Sequence, residues 1–147
     1  MKKEFVMRGQ TASGETEVLN FSGHKPGYAY RLIEFELYPS TAISQNAAEC
    51  VGSITAGKTA IAPTDVNFNN EGLIGTALFY MSSTTSYPTT IAAVINDTFL
   101  ITQNLHLMVQ DSEGGDPINW QCRFVSHKMS DAEEAATNFK QFTISDE

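Results

Sequence analysis

Between Arg31 and Tyr38 the chain changes character at every step: Ile33, Phe35 and Leu37 are apolar, and Glu34 and Glu36 between them are charged. Side chains that switch faces at every residue belong to an extended strand. The segment therefore predicts a β-strand with one face on a core and the other on solvent, ended by Pro39 and Ser40. Shorter strand candidates are Glu4 to Arg8, Glu17 to Phe21, Cys50 to Thr55, Leu73 to Met81, Thr90 to Ile95 and Thr98 to Thr102. Clusters of Gly, Pro, Asn, Asp and Ser separate them, and short strands at this spacing predict an all-β antiparallel sandwich or barrel. No internal repeat or Pro/Ser-rich linker divides the chain, so residues 1–147 are expected to form one domain.

The end of the chain gives the most detailed expectation. Asp111-Ser112-Glu113-Gly114-Gly115-Asp116-Pro117 is a dense turn signal between two alternating runs. Pairing Val109 with Ile118 sets Leu107 opposite Trp120 and Leu105 opposite Cys122, so a closing hairpin would carry all its apolar residues on one face. After it, Ser130-Asp131-Ala132-Glu133 matches a capping box, and a short helix is expected over 130–141. Ala132, Ala135, Ala136 and Phe139 offer an apolar stripe at helical spacing, to lie on the sandwich or on a neighbouring subunit.

Composition excludes several functions. The chain of 147 residues carries 41% apolar and only 18% charged residues, enough to form a core without a metal or disulfide staple. Its 17 acids outnumber 9 bases for a net charge of −8, and Arg8, Lys25, Arg31, Lys58, Arg123, Lys128 and Lys140 are scattered. Phosphate binding needs clustered cations, so direct nucleic-acid binding is not expected. The first residues, Met1 to Arg8, lead into no apolar run of about 7 to 15 residues, so no signal peptide is expected. No stretch approaches the roughly 18 apolar residues of a membrane span. A soluble product made in the cytosol is expected, which leaves the sequons at Asn20 and Asn96 as coincidences. Cys50 and Cys122 stand far apart, outside any C-x-x-C pair, and are expected to be buried free thiols, although pairing between them stays open.

Three patterns invite a chemical reading. Gly52-Ser53-Ile54-Thr55-Ala56-Gly57-Lys58-Thr59 satisfies the phosphate-loop pattern G-x-x-x-x-G-K-S/T. The chemistry also needs a helix opening at the loop, and Pro63 follows too soon for one, so the match is read as coincidental. His24, His106 and His127 would be a metal or acid–base set only if they converged. The expected hairpin puts His106 across from Gln121, about 20 Å along the strand from His127, and they are read as structural or solvated. Asp111, Glu113 and Asp116 supply oxygens without an EF-hand pattern and are read as a solvated turn. The hydroxyl-rich stretches, Thr55, Thr59, Thr64 and Ser82 to Thr90, are read as loops whose hydroxyls satisfy their own backbone. No G-x-S-x-G elbow is present, and the chain is expected not to be an enzyme: no catalytic, cofactor-binding or metal residues are assigned, and no cofactor.

The segment Asp116-Pro117-Ile118-Asn119-Trp120-Gln121-Cys122-Arg123-Phe124, with Met129-Ser130-Asp131-Ala132-Glu133-Glu134-Ala135-Ala136-Thr137 and Lys140, resembles the C-terminal strand and helix of small single jelly-roll capsid-type virion proteins of tailless and marine phages. The resemblance covers the last quarter. It implies a jelly roll that assembles with itself and other virion proteins, located in the virion after assembly in the host cytoplasm. The chain lacks the basic N-terminal arm of many capsid proteins, which leaves capsid, minor capsid and decoration roles open. The alternative is a β-sandwich module recognising carbohydrate or another cell-surface ligand through Trp120, the tyrosines and the hydroxyl-rich loops.

Overall fold

A computed structural model describes residues 3–21, 25–41, 47–57, 59–82 and 89–145. Eight strands precede one helix: β1 (Glu4–Thr11), β2 (Thr16–Leu19), β3 (Tyr28–Pro39), β4 (Ala47–Ala56), β5 (Leu73–Ser82), β6 (Thr90–Ile95), β7 (Leu105–Asp111), β8 (Ile118–Lys128) and α1 (Asp131–Ser145). The alternating segment at 31–38 lies within β3, where Leu32, Phe35 and Leu37 are buried. A register shift after Leu32 moves Ile33 out of the inward phase that simple alternation assigns to it. The segment Thr98 to Thr102 is not a strand. It contributes only an isolated bridge between Ile101 and Tyr30, with Ile101 and Phe99 serving as core plugs.

The strands form two antiparallel sheets, a three-stranded one in the order β1-β8-β3 and a five-stranded one in the order β2-β7-β4-β5-β6. The order is that of a long hairpin rolled into a sandwich: β1 pairs with β8, β2 with β7 and β4 with β5, and the roll closes through β3–β8 and β4–β7. This is a jelly roll. In a complete roll β6 would continue the first sheet beyond β3. Here it turns back and pairs with β5, which leaves three strands facing five.

The predicted hairpin of β7 and β8 is therefore corrected. Val109, Leu107 and Leu105 do not pair with Ile118, Trp120 and Cys122. β7 lies between β2 and β4, and β8 lies in the other sheet between β1 and β3. All six side chains are buried, but they meet across the sandwich rather than along a ladder. Stacked sheets stand about 10 Å apart, against about 4.8 Å between paired strands. The turn at 112–117 bridges that wider gap.

Trp120 is buried and donates its indole Nε1–H to Thr11 Oγ1 at 2.9 Å. At one end of the sandwich Phe5, Phe21, Tyr30 and Phe124 form an aromatic cluster, with ring centroids of Phe21 and Phe124 5.1 Å apart and edge-on. The C-terminal helix is present and its capping box forms. Glu133 N–H donates to Ser130 Oγ at 3.2 Å, and Ser130 N–H donates to Glu133 Oε1 at 3.3 Å. The helix runs on to Ser145, past the expected 141. Its Ala stripe does not cover the sandwich: Ala132, Ala135, Ala136 and Phe139 stay exposed, and docking falls to Ile144 against Gly57 and Gly72 and to Lys140 Nζ over the Phe99 ring at 5.2 Å.

Candidate functional site

Instead of continuing the three-stranded sheet, β6 closes the five-stranded one as its last strand, close to β3 yet largely exposed. β6 is the last strand of its sheet, and Thr90 to Val94 are all exposed on both faces. Only Ile95, at the end nearest the core, packs against it. Ile91, on the face that elsewhere points inward, is 66% exposed, and Val94 on the opposite face is 54% exposed beside Phe68. A groove of about 320 Å³ flanks Ile91, lined by Arg8, Glu36, Leu37, Tyr38 and Trp120. A second groove of about 380 Å³ flanks Val94 and Ile95, lined by Phe68, Glu71, Ile74 and Lys140. Each groove is apolar at its floor and carries one cation and one anion at its rim.

The backbone of β6 is available as well as its side chains. Asn96 N–H donates to Ile74 C=O at 2.8 Å, one step beyond the pairing of Ile95 with Gly75. Hydrogen-bonded and non-bonded positions alternate in an antiparallel pair. It follows that Thr90, Ala92 and Val94 bond to β5, and that the N–H and C=O groups of Ile91, Ala93 and Ile95 point away from the sheet.

The phosphate-loop letters fall in β4. Gly52 to Ala56 is extended and paired on both sides, with β5 and β7, so no loop opens a helix here. The glycines have structural reasons. A Cβ at Gly52 would come within 3.0 Å of Phe35 Cζ and 3.2 Å of Leu37, and Gly57 adopts φ 144°, a conformation side chains resist. Ser53 donates its hydroxyl to Ile61 C=O, and Thr55 Oγ1 accepts from Ile61 N–H at 3.3 Å, tying the 59–72 loop over the strand. Lys58 and the stretch 83–88 lie outside the described residues, as does His24.

His106 and His127 stand in different sheets, His106 beside Val18 and Thr55, and His127 with Nε2 3.3 Å from Glu133 Oε2. The partner across from His106 is thus not Gln121. Asp111 is not part of a solvated tip. It is buried, and its Oδ1 accepts from Glu49 N–H at 3.2 Å and from Glu113 and Gly114 N–H at 3.1 Å each. It clamps the connection between the sheets. Asp116 accepts from Thr41 Oγ1 at 3.2 Å. Among the described residues no three His, Cys, Asp or Glu side chains gather as a metal set, and no helix is long and apolar enough to cross a membrane. Cys50 and Cys122 are both buried and free. Burial, with the negative charge of Asp111 adding to it, pushes the Cys50 thiol up to about 12, and burial raises Cys122 too.

No protein-family model matches the chain, and no curated protein matches it. Among solved structures it is similar to a chain in the three-dimensional structure of Cocksfoot mottle virus, with 10% identity, a TM-score of 0.38 and coverage of 92% of this chain and 96% of that one. The jelly-roll assignment rests on the strand order above.

Sequence reasoning identified β6 as a strand and missed that it is the open edge. The available signal was its composition. Thr90-Ile91-Ala92-Ala93-Val94-Ile95 has no polar face to give to solvent and no large residues to fill a core.

Proposed function

We propose that the chain is a structural subunit of a virion, acting by assembly with copies of itself and with other virion proteins. The observation that carries this reading is the uncovered apolar edge of β6 with its two flanking grooves on a jelly-roll sandwich. Soluble proteins normally blunt such an edge with charge, proline or a covering segment, and an edge left apolar is a surface for another chain. The resemblance of residues 116–140 to capsid-type proteins of tailless phages supports the same reading and favours a phage particle. Capsid, minor capsid and decoration roles share this requirement for lateral contacts. The absence of charge on β6 and the net charge of −8 argue for protein contacts over direct contact with the genome.

Size-exclusion chromatography with electron microscopy of the concentrated protein tests the proposal. Oligomers or shell fragments that grow with concentration are expected. A strictly monomeric protein, absent from purified particles, would overturn it.

A further inference from the structure

We infer that the groove between the turns at 67–72 and the C-terminal end of β6 binds a neutral sugar, with Phe68 as the stacking surface and Asn70, Glu71, Asn96 and Lys140 as a hydrogen-bonding rim. The inference goes beyond the assembly reading and does not rest on it.

The segment Asn67-Phe68-Asn69-Asn70-Glu71-Gly72 folds as two successive turns. Asn70 N–H donates to Asn67 C=O at 3.0 Å and Leu73 N–H to Asn70 C=O at 3.1 Å, while Asn69 N–H and Gly72 N–H donate to the side-chain Oδ1 of Asn67 and of Asn70, both at 2.9 Å. Gly72 ties the segment to the body. Its C=O accepts from Ala56 N–H at 2.8 Å, and a Cβ at this position would strike the Ala56 carbonyl. The turns therefore hold Phe68 out at the groove, 66% exposed, next to Val94 and Ile95. A ring fixed in this way loses little freedom when a ligand covers it.

The rim is fixed as well. Asn70 Oδ1 is engaged with Gly72 N–H, and Asn96 Oδ1 accepts from Thr98 N–H at 3.3 Å and from Thr98 Oγ1 at 2.8 Å. Each amide is thereby oriented, and neither Nδ2 has a partner among the described residues. Lys140 Nζ is held over the Phe99 ring at 5.2 Å and adds further donors, while Glu71 supplies acceptors. A pyranose matches this set: its C–H face is apolar and packs on an aromatic ring, and the hydroxyls around it both donate and accept. The charges of Lys140 and Glu71 cancel, and a chain of net charge −8 repels anions, so the ligand is neutral. The groove's volume of about 380 Å³ falls within the roughly 300–1,000 Å³ of small-ligand sites. Trp120, the stacking residue suggested by the sequence, is buried against Thr11 and takes no part.

An array of neutral, sulfated and sialylated glycans probed with the full chain tests the site, followed by isothermal titration calorimetry with the neutral glycan that binds best. Phe68→Ala and Glu71→Ala are each expected to weaken that binding about tenfold. Both residues are exposed, so the melting temperatures of the two variants should match the parent. Tyr38→Ala, in the groove beside Ile91, should bind like the parent. An array without binding to any neutral glycan, or with binding confined to the sulfated and sialylated ones, overturns the inference. Full affinity in both Phe68→Ala and Glu71→Ala, or a loss in Tyr38→Ala alone, overturns it too, because the sugar then sits elsewhere. None of these outcomes bears on whether the chain assembles, so the proposed function stands or falls by its own test.

Discussion

β7 and β6 belong to one sheet, with β4 and β5 between them, and their environments could hardly differ more. In β7, Leu105, Leu107, Val109 and Asp111 are buried and alternate with half-buried residues, because β8 and its neighbours cover the inward face. β6 is at least as apolar, yet Thr90 to Val94 are exposed although β3 runs close by, because β6 is the last strand of its sheet. Burial is set by what stands opposite a strand rather than by the strand's own hydrophobicity. In this protein an internal place in the sheet puts one apolar strand in the core, and a place at the sheet's end leaves the other exposed.

The sharpest way to break the comparison is to truncate one large side chain in each strand. Leu107→Ala removes a fully buried side chain from the middle of β7 and should destabilise the protein by about 2–5 kcal/mol, the range for core truncations that leave a cavity. Chemical denaturation monitored by Trp120 fluorescence measures it. A loss under about 1 kcal/mol would mean that the face of β7 is not packed as described. At the end of the same strand, Asp111→Ala strips three backbone amides of their acceptor and should cost about 3 kcal/mol. Asp111→Asn keeps an acceptor oxygen, and the buried Oδ2 has no donor among the described residues to lose. The Asn variant should therefore fall well short of the Ala variant. Equal losses would assign the effect to charge and not to the clamp.

The same contrast explains how far the sequence could be read. Alternation correctly identified the strands of 31–38, 50–55, 73–81 and 90–95 and the inward faces of β7 and β8, because a period of two is a property of one strand and its own burial. It could not say which strand lies next to which. The apolar residues of 105–109 and 118–122 match in phase equally well along a ladder and across a core, and the turn-rich 111–117 fits either. What distinguishes them is the buried Asp111 gathering amides from β4 and from the turn, a tertiary arrangement with no local signature. Thr98 to Thr102 shows the opposite error: strand-like composition used as a plug. The capping box was legible down to the atom pairs because all its partners lie within four residues. The burial of the Ala stripe was not, since it depends on a surface that this chain does not present to the helix.

Ser130→Ala probes that local feature and should cost about 1 kcal/mol by removing the acceptor for Glu133 N–H. Helical circular dichroism should fray while the strand signal holds. Hydrogen bonds from Ser130 N–H and from His127 hold the Glu133 carboxyl below its ordinary range. A carboxyl with a lowered folded pKa stabilises the native state above its unfolded value and loses that effect as pH falls through the folded one. Both bonds survive Ser130→Ala, so its cost should change little with pH, whereas the cost of Glu133→Gln should shrink as pH falls below the ordinary carboxylate range.

Ile91→Ser completes the comparison with the smallest expected effect on the single chain. With 66% of Ile91 exposed, little apolar area leaves water when the chain folds, and the change in unfolding free energy should stay within about 0.5 kcal/mol. Under the proposed assembly the isoleucine matters only once another subunit covers it. Dilution separates these two states: below the association threshold Ile91→Ser and the parent should melt together, and above it the parent alone should gain melting temperature with concentration, as binding to the native state requires. If the serine variant melts far below the parent in dilute solution, Ile91 is already packed within one chain and β6 is not an open edge.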